Sequence, residues 1–201
     1  ALEKFPGLRL AAISGGQFDN VICSRCDAVV ALPTGSGAAF TAFIREFDAA
    51  LKNEYAVTDP GVTLTCAAAE AAKAVPAERT ATLVQALAAM PQGVEAMDTD
   101  FPGLVQTSLN MGVVKLDGDG LHISFSIRSS IASRKLMLAQ RVRAVAALAG
   151  GTVAERGVYP GWQYKRESKF RDTLLAAYKD LTGKDGVVEA THGGLECGLL
   201  M

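Results

Sequence analysis

The side chains in this sequence best suited to chemistry are those that can hold an anion. Arg128 ends an alternating run in which His122, Ser124, Ser126 and Arg128 fall on one side, because residues two apart share a strand face. A guanidinium fork matches a carboxylate through two parallel hydrogen bonds, although a plain solvent-facing strand carries a similar polar row. Asn20 ends the loop Gly15-Gly16-Gln17-Phe18-Asp19-Asn20, where its amide can either donate to a bound anion or serve the turn itself. The third candidate is His192-Gly193-Gly194-Leu195-Glu196-Cys197-Gly198. Its glycines let backbone N–H groups approach an anion closely just before a helix. Glu196 fits two roles equally well, a carboxylate at a helix start and an active-site group.

Groups that break bonds are harder to find. His122 and His192 are the only histidines, and neither belongs to a His-Glu-x-x-His motif or a Gly-x-Ser-x-Gly elbow. Cys23-Ser24-Arg25-Cys26 has redox or zinc spacing, yet no second close pair accompanies it, and Cys66 and Cys197 are remote. If residues 22–30 form a strand, Cys23 and Cys26 face opposite sides. The cysteines are therefore read as small buried hydrophobes of a reducing, cytoplasmic protein. Gly35-Ser36-Gly37 lacks the Lys-Ser/Thr of a phosphate loop. Asp117-Gly118-Asp119-Gly120 lacks the further ligands of a calcium loop and reads as a hairpin turn.

Composition restricts the function classes. The chain has 201 residues, 49% hydrophobic and 20% charged, with a formal net charge of −1. Those proportions fit a globular protein, and no basic field points to nucleic acid. The basic group Arg134, Lys135, Arg141 and Arg143 reads as the solvated face of a helix. No apolar run approaches the roughly 20 residues of a membrane span, and the start Ala-Leu-Glu-Lys-Phe-Pro does not resemble a signal peptide. Both ends look cut, so the chain is expected to be a piece of a longer protein.

The elements that must position these residues follow from periodicity. Strands are predicted over 8–13, 21–32, 62–69, 105–114, 121–127, 152–158 and, short and buried, 187–190. Helices are predicted over 38–55, 76–90, 130–149 and 168–181, the last burying Phe170, Leu174, Tyr178 and Leu181 and stopping at Gly183. The implied class is α+β, an antiparallel sheet backed by helices with ferredoxin-like elements, followed by a partial α/β segment. Tyr159-Pro160-Gly161-Trp162 marks a change of character and sets the boundary between residues 1–157 and residues 158–201.

Five spaced segments carry a resemblance: Gly15-Gly16 with Asp19-Asn20, Pro91-Gln92-Gly93-Val94, Ser108-Leu109-Asn110-Met111-Gly112, Tyr159-Pro160-Gly161-Trp162, and His192 to Gly198. In this order they resemble the aminoacyl-histidine dipeptidases, also called cytosol non-specific or Xaa-His dipeptidases, whose di-zinc catalytic domain is interrupted by a lid. The resemblance implies that residues 1–157 are most of a lid of the dimerisation type, without its first strand and helix. Residues 158–201 would be the return into the catalytic domain. It implies two zinc ions whose ligands lie outside this chain, so that the chain alone is inactive. Asn20 and Arg128 match residues that bind the terminal carboxylate of a dipeptide, and Gly194 matches a glycine that meets substrate through its backbone. His192, Gly193 and Glu196 fall in the same active-site loop. The implied partners are a dipeptide, the rest of the catalytic domain and a second copy bound through the lid, with neither nucleic acid nor membrane. One departure stands beside Asn20, where Val21-Ile22 leads to Cys23-Ser24-Arg25 and the family usually reads Pro-Arg-Glu. The competing reading is a stand-alone α+β binding or dimerisation module without catalysis.

Overall fold

The computed structural model of the chain describes residues 1–70, 73–117, 120–194 and 199. It is an α+β fold with strands β1 (Arg9–Gly15), β2 (Cys26–Ala31), β3 (Gly93–Met97), β4 (Val105–Asp117) and β5 (Gly120–Ser129). Among the described residues four helices accompany them: α1 (Gly37–Glu54), α2 (Ala77–Ala89), α3 (Ala132–Leu148) and α4 (Lys169–Thr182). The strands pair in the order β2-β1-β4-β3, with β5 on β4. Two compact units result, one made of Ala1–Phe18, Cys23–Ala88 and Gly112–Ser124, the other of Asp19–Ile22, Ala89–Met111 and Phe125–Met201.

In the first unit β1 runs antiparallel to β2 and to the later part of β4, with Ile13 opposite Leu116 and Gly15 opposite Val114. Gly16 follows with φ of 73°, and a Cβ there would lie 1.7 Å from the carbonyl oxygen of Gly112. Only glycine permits that approach. The apolar stripe of α1 supplies Phe40, Phe43 and Ile44 to a cluster with Phe5 and Leu8. One turn further along the stripe Phe47 stacks on Phe43 but stays half exposed. A second cluster joins Leu10, Leu83 of α2 and Leu116. Buried Thr80 ties α2 to β1 by accepting the Leu10 N–H at 3.0 Å and donating to the Val75 carbonyl at 3.3 Å. This satisfies polar groups that would otherwise be costly to bury.

In the second unit β3 pairs antiparallel with the first part of β4, from Gly93 opposite Leu109 to Met97 opposite Val105. Leu109 is buried under Leu138 and Val142 of α3. Arg141 of α3 reaches Glu95 of β3 at 2.8 Å. Helix α4 is capped by Ser168, which accepts the Arg171 N–H, and ends at Gly183 with φ of 71°, the left-handed stop read from the sequence.

Several expected elements differ, each for a local reason. β2 begins only at Cys26, because the side-chain amide of Asn110 holds the carbonyls of Asp19 and Val21 and the loop leaves the ladder. Residues 62–69 form no strand, since the Asp48 carboxylate of α1 captures the Leu64 N–H at 2.7 Å and the Thr63 hydroxyl at 3.2 Å. Those bonds, with that of Lys52, hold the Asp48 carboxyl below its ordinary range. Residues 152–158 are likewise irregular, with Glu155 paired to Arg143 at 2.6 Å. Periodicity does not reveal β3, because its five residues begin at Gly93, inside the helix-ending Pro91-Gln92-Gly93.

The expected burial of α4 is also corrected. Phe170, Leu174, Tyr178 and Leu181 are 74%, 53%, 48% and 87% exposed. Residues 187–190 are neither strand nor buried. Amphipathic spacing records which face is apolar, and burial needs a second surface to cover it. The described cysteines are not buried either: Cys23 is half-buried, Cys26 and Cys66 are exposed, and all three are free thiols, whereas Cys197 lies outside the described residues. The Cys26 sulfur nevertheless packs against Gly15, and partial burial pushes that thiol above its ordinary range.

Candidate substrate-binding site

The site is built on one face of the β4–β5 ladder in the second unit. The Thr107 and Ser129 hydroxyls meet at 2.8 Å, and the Ser130 N–H donates to the Gln106 carbonyl at 3.3 Å. This antiparallel register sets Ser108 opposite Arg128. Thr107 and Leu109 point to the buried face, so Ser108 and Asn110 occupy the other face with Arg128. The alternation expected over 105–113 holds through Leu109. It then changes phase, with Gly112 and Leu116 buried instead.

Two loops reach this polar face. His192 Nε2 lies 2.8 Å from Ser108 Oγ, and Arg128 Nη1 donates to the His192 carbonyl at 3.3 Å. Partial burial, then the neighbouring Arg128 charge, pulls the His192 pKa below its ordinary value, so the ring is neutral near pH 7. The second loop carries Asn20. Asn110 Nδ2 donates to the carbonyls on either side of it, Asp19 at 2.7 Å and Val21 at 2.9 Å.

The segment after α3 closes the wall. Gly161 crosses the chain so tightly that a Cβ would sit 2.7 Å from the Ser130 carbonyl oxygen and 2.9 Å from that of Ser129. Lys135 Nζ donates to the Tyr159 carbonyl, and the Tyr159 ring lies against Gly194, whose Cβ would be 3.1 Å from Cε1. At Gly193 a Cβ would meet the Thr191 hydroxyl at 3.8 Å, an ordinary contact. A cleft of about 1100 Å³ results, lined by Arg128, Tyr159, Trp162, His192, Gly193 and Gly194 among others. It combines a guanidinium with serine and histidine groups and an aromatic wall, a setting that can orient a small anionic molecule.

Arg128, His192, Gly193 and Gly194 thus come together from distant parts of the sequence. Asn20 is exposed and is not among the cleft-lining residues; its loop is tied to the same strand face through Asn110. Glu196 lies outside the described residues. His122 is elsewhere, 3.7 Å from Asp117. Among the described residues no three His, Cys, Asp or Glu side chains gather to hold a metal ion.

Residues 1–59 match the peptidase dimerisation domain family of the M20 type. Over 193 residues the chain is 31% identical to the cytosol non-specific dipeptidase of Escherichia coli (strain K12), covering 96% of this chain and 40% of that protein. The crystal structure of aminoacylhistidine dipeptidase from Vibrio alginolyticus superposes with a TM-score of 0.88 at 28% identity, covering 98% of this chain and 40% of that one. The chain resembles these dipeptidases in sequence and in fold. It spans 40% of the length of the relatives it matches. The antiparallel α+β fold agrees with that solved structure over 98% of the chain, and the dimerisation match covers β1, β2 and α1.

Sequence reasoning missed Ser108 and Asn110 as site residues, although they lie in one of the five segments that carry the resemblance. A signal was available. Odd positions 105–113 carry Val, Thr, Leu, Met and Val, so the polar even positions must face away from that apolar stripe. What the sequence lacked was the partner of that face.

Proposed function

We propose that this chain is the substrate-holding part of a zinc-dependent dipeptidase of the M20 group, with residues 1–157 acting as lid and residues 158–201 as part of the catalytic domain. Arg128 and Asn20 bind the dipeptide's free carboxylate, and the backbone at Gly193-Gly194 contacts the remainder of the substrate. His192, beside Arg128, holds that loop on β4. The observation that carries the reading is the gathering of Arg128 and the His192–Gly194 loop on one wall of a cleft, over the strand that also holds the Asn20 loop. Zinc supplies a Lewis acid and an activated water when bound. Its ligands belong to parts of the enzyme other than the described residues. The described residues bind and orient: gripping the terminal carboxylate sets the register of the peptide bond and excludes longer peptides. A homodimer through the region of residues 1–59 and a cytoplasmic location complete the proposal.

The test assays the complete enzyme that carries this chain, loaded with zinc, on alanyl-histidine, alanyl-alanyl-histidine and alanyl-histidine amide. Rapid cleavage of the first substrate and slow cleavage of the other two is expected. Equal rates on all three would refute the carboxylate grip, and no cleavage of any would refute the dipeptidase assignment.

A further inference from the structure

From its two hydrogen bonds to the Asn20 loop, we infer that Asn110 is a positioning residue for carboxylate recognition. It acts by holding the backbone on both sides of Asn20; the inference rests on the carboxylate reading above. The loop has little packing of its own to locate it. Val21 and Ile22 are 52% and 79% exposed, and β2 does not begin until Cys26. Asn110, by contrast, sits on a strand whose adjacent Leu109 is buried under α3. Its side-chain amide has two N–H donors, and the carbonyls of Asp19 and Val21 receive bonds from this one nitrogen. Asn20, between those carbonyls, is therefore located by a rigid strand. The neighbouring alternate position, Ser108, meets the histidine of the glycine loop. One strand face thereby sets the spacing between the two loops that reach the substrate. A displacement of the order of an ångström at an oriented binding group is enough to weaken a reaction strongly.

Asn110→Asp keeps the shape but replaces the donating nitrogen with an oxygen that repels both carbonyls. Asn110→Ser retains at most a single, shorter donor. In the zinc-loaded enzyme carrying this chain, Asn110→Asp is expected to raise KM for alanyl-histidine about tenfold. The turnover number should change little, as for loss of binding shared by ground and transition states. Alanyl-histidine amide should be indifferent, the thermal midpoint should remain near that of the parent, and Asn110→Ser should fall between. Adding Asn110→Asp to Asn20→Ala should cost nothing further, because the positioned group is already gone. Equal losses on the acid and the amide, or full additivity with Asn20→Ala, would overturn the inference. So would unfolding of both Asn110 variants, which would make the residue structural. The parent reading is judged separately: if Arg128→Ala and Asn20→Ala leave the acid-to-amide preference intact, the carboxylate grip fails and this inference with it. If they abolish that preference and Asn110→Asp does not reduce it, only the inference about Asn110 fails.

Discussion

Replacing Arg128 with alanine in the complete enzyme removes two things that a control can separate. The first is the bond from Nη1 to the His192 carbonyl, 3.3 Å long and at an exposed side chain. A long, solvent-screened contact of that kind is worth roughly 0.5–1 kcal/mol, which is about two- to fivefold in rate. It steadies the glycine loop and so affects every substrate. The second is the proposed guanidinium–carboxylate pair, which forms only with a free C-terminus. Truncating one partner of such a pair costs about 2–5 kcal/mol, and the exposure of Arg128 places it near the lower end, about thirtyfold. Arg128→Ala should therefore reduce kcat/KM about a hundredfold for alanyl-histidine but only about two- to fivefold for its amide. Arg128→Lys should recover part of the acid-specific loss, because an ammonium keeps the charge without the planar fork. Steady-state kinetics on the two substrates checks this, with zinc content and thermal midpoint measured alongside. Loss of the same factor on acid and amide would refute the clamp and leave Arg128 as a support for the loop.

Two further outcomes follow from backbone and charge. Gly16→Ala forces a Cβ to within 1.7 Å of the Gly112 carbonyl oxygen at positive φ, and should cost about 3 kcal/mol or more in urea unfolding, whereas Gly35→Ala, also at positive φ but in open space, should cost about 1 kcal/mol; equal losses would contradict the close approach. The folded-state pKa of His192 is depressed below its reference of 6.5 by burial and by Arg128, so its stabilising contribution is complete above about pH 6.5 and lost as pH falls through the folded value. Stability measured from pH 7.5 down to 5 should drop less steeply in His192→Gln, and an unchanged slope would refute the assignment.

What the sequence by itself determined is local. Helix α1 was legible because Phe40, Phe43 and Ile44 repeat with the helical period, and the end of α4 because Gly183 can take the left-handed conformation that stops a helix. The β4–β5 hairpin was legible because alternation is set by the strand's own period of two, and Arg128 could be placed on its polar face for the same reason. The tertiary structure alone decided which segments met. A carboxylate at Asp48 kept residues 63 and 64 out of a strand, and an amide at Asn110 held residues 19–21 off β2. The apolar stripe of α4 was correctly patterned yet stayed exposed. Periodicity belongs to a few consecutive residues, whereas a hydrogen bond across eighty or ninety positions depends on which backbones the whole chain brings together. The Ser108–His192 and Asn110–Asp19 contacts are of that second kind, so the candidate residues and the strand were visible in the sequence while the contacts that gather them there were not.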